Sequence, residues 1–205
     1  MWTMLGPRPV DIFGWESFGK GWMTDAVKFL KLPQVNEYKA DYGKLPDLRL
    51  ADRTHDIIFT LNGPTSGVRV PHGDWIADTR EGLSFCDATS AVFAYDMPWD
   101  KLDVTTFSWQ KVLGGEAAHG VIILSPRAVA RMQENEPKVP WPLPKTFRLA
   151  AEGKLKPGEL EYSTVNTPSM LCVEDAIDAL KWAESIGGLQ GLYKRSNANL
   201  AAFEK

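Results

Sequence analysis

Apolar positions along this chain fall into two rhythms, compact runs and helical stripes. The compact runs are Asp56-Ile57-Ile58-Phe59-Thr60-Leu61, Leu83-Ser84-Phe85-Cys86 and Gly120-Val121-Ile122-Ile123-Leu124. The first leads into a Gly/Pro loop, as suits a strand buried in a parallel sheet. Residues 35–40 and 103–109 read as two further strands, and 7–13 as a short turn and strand. Phe18, Trp22, Ala26, Phe29 and Leu30 recur at helical spacing, so 17–31 reads as an amphipathic helix that Pro33 ends. Residues 126–133 read as a short helix. Val173, Ala176, Ile177, Leu180 and Ala183 mark the buried face of a longer one, with Thr167 as N-cap, Pro168 in the first turn and Gly187-Gly188 as the stop. A last helix starts at Leu189. Residues 74–81 read as a short helix or loop, and 134–158, with five prolines, as a long irregular stretch. Strands alternating with helices predict an α/β fold: a three-layer, mainly parallel sheet with helices on both faces and the ligand at the C-terminal strand edge.

Composition narrows the class. The 205 residues are 44% hydrophobic and 24% charged, which suits a soluble globular domain. The net charge of −3 is spread along the chain, with no basic cluster that would mark a nucleic-acid partner. Cys86 and Cys172 are too few for a disulfide scaffold, and with His55, His72 and His119 they form no metal-binding pattern. No apolar run approaches the roughly 20 residues that span a bilayer, and no leader pattern opens the chain, so a cytoplasmic location is expected. Both ends read as interior to structural elements, the mark of a piece of a longer protein.

The candidate chemistry sits at two strand ends. Asp87 closes the strand at 83–86, and Lys111 follows the strand at 103–109. Such a pair can serve pyridoxal phosphate, the lysine as Schiff-base amine and the aspartate holding a proton on the pyridine nitrogen. A desolvated, aromatic-lined lysine would suit that role, although a loop lysine and a strand-end cap account for the same two residues. Trp15 can stack on a flat ring or simply fill the core. Gln110 can donate to a phosphate or face solvent. Asn166 and Thr167, ahead of a helix, can bind an anion or act as an ordinary cap. His119 lies close to Lys111 in sequence. Ser66 and Ser108 have no His/Asp arrangement nearby that suggests a hydrolase.

Taken together, Cys86-Asp87-Ala88-Thr89-Ser90-Ala91, 107–115 (Phe-Ser-Trp-Gln-Lys-Val-Leu-Gly-Gly), Ala118-His119-Gly120 and Asn166-Thr167-Pro168-Ser169-Met170 resemble the phosphoserine aminotransferase family. So do 15–22 (Trp-Glu-Ser-Phe-Gly-Lys-Gly-Trp) and the loop from Asn62-Gly63 to Val70. These are class V aminotransferases with the large domain of the PLP-dependent transferase fold, type I. The resemblance implies pyridoxal 5'-phosphate as cofactor, with Lys111 as the Schiff-base lysine that also moves the proton of the substrate α-carbon. It implies Asp87 on the pyridine nitrogen, Trp15 stacked on the ring and Gln110 near the phosphate. Asn166 and Thr167 are implied to reach the partner's cofactor in a homodimer. The implied reaction carries the amino group of L-glutamate to 3-phosphohydroxypyruvate, giving O-phospho-L-serine and 2-oxoglutarate, with a related role in pyridoxine biosynthesis.

Two departures accompany the resemblance. The family's third loop residue, a threonine that contacts the cofactor, is Pro64 here, so that contact is lost or falls to Thr65. The segments that grip the substrate carboxylate and phosphate fall outside the chain, which implies weak or no turnover by these 205 residues alone. Residues 1–186 would be the central part of the cofactor-binding large domain, and 187–205 the start of the connection to the small domain. The alternatives are another fold-type I enzyme, such as a serine–glyoxylate aminotransferase or a cysteine desulfurase, or an inactive dimerising domain.

Overall fold

A computed structural model of the chain describes residues 1–135, 141–156, 164 and 166–205. Its centre is a six-stranded sheet in the order β2-β1-β3-β6-β7-β8. These strands are β1 (Val10–Gly14), β2 (Val35–Lys39), β3 (Asp56–Thr60), β6 (Ser84–Asp87), β7 (Val104–Phe107) and β8 (Val121–Leu124). Two short ribbons, β4 (Asn62–Gly63) with β5 (Val68–Arg69) and β9 (Ala150–Ala151) with β10 (Lys154–Leu155), are antiparallel. The pairs β1–β2, β1–β3 and β3–β6 are parallel. Asp103 N–H donates to Ser84 O, and Ala88 N–H to Thr106 O, so β7 continues in that sense beside β6. β8 turns back: Ser125 N–H reaches Asp103 O, and Thr106 Oγ1 reaches Val121 O. The fold is α/β with a mainly parallel sheet, as expected.

Chain contacts divide the molecule into two compact units. The first holds Met1–Asp87, Pro98–Thr105 and Ile123–Asn166. Every residue of β1 and β3 is buried in it, so both strands are covered on both faces. On one face Val10, Ile12, Ile58, Phe85 and Val104 form a core with Met23 and Ala26 of the 17–29 segment and with Ala128 and Met132 of α2 (Pro126–Asn135). On the other, Phe13 stacks on Tyr38 at 4.8 Å, and Trp75 meets Phe13 and Phe59 edge-on at 5.4 and 5.0 Å. Burial on this scale stabilises by roughly 1.5–3 kcal/mol per large side chain.

The predicted 17–31 helix is α1 (Ser17–Thr24) followed by one π-helical turn, Asp25–Phe29. It ends where Lys31 takes a left-handed conformation, φ 50°. Gly14 lets α1 lie directly on β1, since a Cβ there would be 3.1 Å from the Gly19 backbone and 2.9 Å from Met23. Residues 74–81 form turns and bends, not a helix. The expected irregular stretch 134–158 is ordered in part: Asn135 ends α2, and Glu152-Gly153, both at positive φ, turn the β9–β10 hairpin. Its residues 136–140 and 157–158 lie outside the described residues.

The second unit holds Ala88–Met97, Thr106–Ile122 and Thr167–Lys205. It is built on α3 (Met170–Ser185) and α4 (Gly188–Phe203), joined at Gly187, φ 103°. The α3 N-cap is Ser169, whose hydroxyl accepts from Cys172 N–H, so the cap lies two residues beyond the expected Thr167. Phe93 meets Phe107 edge-on at 6.0 Å. Among the described residues no helix is long and apolar enough to cross a membrane.

Candidate active site

In the first unit, the site residues gather where β1 and β3 end. β1 delivers Trp15, and Glu16 follows as the N-cap of α1. The Glu16 carboxylate is fully buried and accepts from Phe18 N–H at 3.0 Å and Gly19 N–H at 3.1 Å. Its other oxygen accepts the Thr65 hydroxyl at 2.6 Å, and Thr65 Oγ1 lies 3.2 Å from Ser17 Oγ. Among the described residues no ion pair involves Glu16, so three hydrogen bonds rather than a cation compensate its burial.

The loop carrying Thr65 is held close. A Cβ on Gly63 would lie 2.5 Å from Glu16 Cγ and 2.7 Å from both Trp15 Nε1 and Ser66 Oγ, so glycine is the side chain that fits there. Ser66 and Gly67 N–H both donate to Gly63 O, which closes the loop as a tight turn. Pro64 stands at the tip, exposed, with its missing N–H uncalled for.

Trp15 is fully buried, and its Nε1 and the Thr60 Oγ1 at the end of β3 are buried with no hydrogen-bond partner among the described residues. Thr65 has committed its proton to Glu16, which leaves it acceptor capacity only. Asp87 is the half-buried last residue of β6, and its carbonyl accepts Leu61 N–H. The structure therefore brings together Trp15 and Thr65 through Glu16 and Gly63, two residues given no role in the sequence reading. A glutamate is an uncommon N-cap, and its bond to Thr65 spans 49 positions, so local pattern carries no signal for it.

In the second unit, Gln110 is half-buried and Lys111 exposed, in the turn after β7. The desolvated setting expected for the lysine is absent: its side chain stands out from the turn. That turn is well fastened, with Gly114 N–H on Lys111 O at 3.0 Å and Gly115 N–H on Trp109 O at 3.1 Å. Trp109 stacks on His119, centroids 4.9 Å apart and planes 28° apart, which gives His119 a partner beside the lysine turn. Asn166 and Thr167 are both exposed, Asn166 closing the first unit and Thr167 opening the last segment of the second. Val165, in the same motif, lies outside the described residues. Cys86 is buried in β6, and burial, with the Asp87 charge next, pushes its thiol well above the ordinary range, which removes it as a desulfurase nucleophile. Among the described residues no cluster could hold a metal ion.

No family model matches the chain. The phosphoserine aminotransferase of Methanosarcina barkeri is 61% identical over 204 residues, all of this chain and 55% of the relative. Among solved structures, the phosphoserine aminotransferase of Cytophaga hutchinsonii superposes with a TM-score of 0.76 at 22% identity, over 94% of this chain and 54% of that one. A PLP-bound phosphoserine aminotransferase from Trichomonas vaginalis does so with a TM-score of 0.59 at 16% identity, over 94% and 51%. The fold is that of the fold-type I aminotransferases. By sequence the chain is similar, from end to end, to the phosphoserine aminotransferases, and it spans about half the length of the curated relatives it matches.

Proposed function

We propose that this chain is part of a phosphoserine aminotransferase, transferring the amino group of L-glutamate to 3-phosphohydroxypyruvate to give O-phospho-L-serine and 2-oxoglutarate. The 61% identity along the whole chain carries the reading. The serine biosynthetic role follows from that activity, with pyridoxine biosynthesis as a related one, and the assignment includes a cytoplasmic location and a homodimer.

The residues present suit pyridoxal 5'-phosphate. Within the first unit, Trp15 Nε1 and Thr60 Oγ1 are buried donors without partners among the described residues, and Gly63 sits in a cradle that a Cβ would fill. Bound there, the cofactor would supply an electron sink for the substrate α-carbon. Lys111 Nζ would hold the cofactor and move the α-proton. Asp87 would keep a proton on the ring nitrogen. Gln110 and Thr65 offer polar contacts, Thr65 as an acceptor. The part of Trp15 as ring support rests on the resemblance, as does that of Asn166 and Thr167 at the partner's cofactor. In this reading 1–186 is the central part of the large domain and 187–205 begins the connection to a small domain.

The test adds the cofactor to the full chain, removes the excess, reduces with borohydride and maps the labelled peptide. The expected result is one label, on Lys111. Labels scattered over surface lysines, or none, overturn the reading.

A further inference from the structure

Glu16 has no part in the assignments above, yet it is the most heavily constrained group around Trp15. Its carboxylate is fully buried, and its three hydrogen bonds join two segments far apart in sequence, the start of α1 and the 62–67 loop. A Cβ on Gly63 would run into Glu16 Cγ and the Trp15 indole nitrogen alike, so the loop lies close to both, and what fixes it against Glu16 also fixes it against the indole. Removing the Thr65 bond would leave a buried carboxylate oxygen unpaired, which costs more than an ordinary lost hydrogen bond.

We propose that Glu16 is a positioning residue for the cofactor site: through its bond to Thr65 it clamps the 62–67 loop against the start of α1 and sets where the loop and the Trp15 edge meet a bound ring. The inference rests on the pyridoxal phosphate reading. It goes beyond that reading in giving Glu16 a function separable from capping α1.

Glu16→Asp separates the two roles. Aspartate is a favoured N-cap and keeps the Phe18 and Gly19 bonds, but it is one methylene too short to reach Thr65. Thr65→Val removes the hydroxyl from the other side while nearly keeping its shape. Both variants, and the double variant, are compared with the wild-type full chain for pyridoxal phosphate affinity and for amide exchange of Ser66 and Gly67. Each single variant loses one charge-assisted hydrogen bond and should raise the dissociation constant about tenfold. The double variant should be no worse than Thr65→Val, because both single variants break the same bond. Exchange of the two amides should quicken in all three.

Wild-type affinity in Glu16→Asp would reduce Glu16 to a helix cap and overturn the proposal. Additive losses in the double variant would do the same, by showing that the effects of Glu16 and Thr65 do not pass through their shared bond. If the wild-type chain takes no label on Lys111, the functional reading fails by itself. Unchanged exchange at Ser66 and Gly67 is then the separate result that overturns the clamp.

Discussion

The two ends of the strands in the first unit treat charge in opposite ways. At the N-terminal ends, buried carboxylates meet cations. Asp56, the first residue of β3, pairs with Arg131 at 2.9 Å and accepts Leu83 N–H. Asp103, just ahead of β7, holds Arg80 at 3.0 Å, Arg127 at 3.3 Å, Ser84 N–H and the Ser125 hydroxyl. At the C-terminal ends Glu16 is held by two amides and a hydroxyl, and Trp15 Nε1 and Thr60 Oγ1 have no partner among the described residues. One end spends its polar groups on tying loops to strands. The other meets its buried carboxylate with no cation among the described residues, and it is the end where open α/β sheets take their ligands; an unpartnered donor occurs at both, Arg80 Nε at the first.

That contrast predicts where activity and stability should separate. Replacing Lys111, exposed in the turn after β7, by alanine should abolish the borohydride-fixed cofactor label, the largest effect expected, because in the proposed reading this one amine would hold the cofactor. Its melting temperature should stay near wild type. Labelling and a melting curve on the same sample check both halves, and a large loss of stability would mean that the turn belongs to the scaffold.

Arg131→Met is the converse. It leaves Asp56 buried without its cation, and breaking such a pair costs roughly 3–5 kcal/mol. Urea denaturation should show that loss, while borohydride labelling of Lys111 persists wherever the protein remains folded. A loss under about 1 kcal/mol would put the anchoring of β3 in its apolar contacts instead.

Ser169→Ala addresses the second unit. The hydroxyl caps α3, and its removal should cost about 1 kcal/mol. Thr167→Ala, two residues earlier and exposed, should cost far less. Equal losses in denaturation would return the cap to Thr167.

What was legible in the sequence follows the same division. Compact apolar runs such as Ile57-Ile58-Phe59 announce strands because a strand buried on both faces has no polar side to display, and Asp87 and Lys111 were visible as strand-end residues. The Glu152-Gly153 hairpin was missed because its two-residue strands are too short to show alternation. The π turn at 25–29 was missed because apolar spacing reports a face and not the hydrogen-bond register. Pro168 pointed to a helix start, but Ser169 took the cap by reaching Cys172 N–H. Glu16 was invisible for a different reason: its meaning lies in Thr65, 49 positions away, and only the fold brings them together.

A pH effect tests the boundary between the two regimes. Cys86 lies in β6 directly before Asp87, and burial first, the aspartate charge second, push its thiol well above the ordinary range. An unfolded thiol titrates near about 8.5. Above that pH the unfolded chain releases a proton that the folded chain retains, so the unfolded state binds fewer protons and stability falls as pH rises, by at most about 1.4 kcal/mol per pH unit for one group. Below that pH both states keep the proton and the effect vanishes. Cys86→Ala should therefore lose less stability than wild type between pH 8 and 10, whatever its offset at pH 8, since the other titrating groups are common to both proteins. Urea denaturation at the two pH values measures the difference in slope. Parallel slopes would mean that the thiol ionises in the folded state too, and that β6 is open to water one residue before the carboxylate assigned to the ring nitrogen.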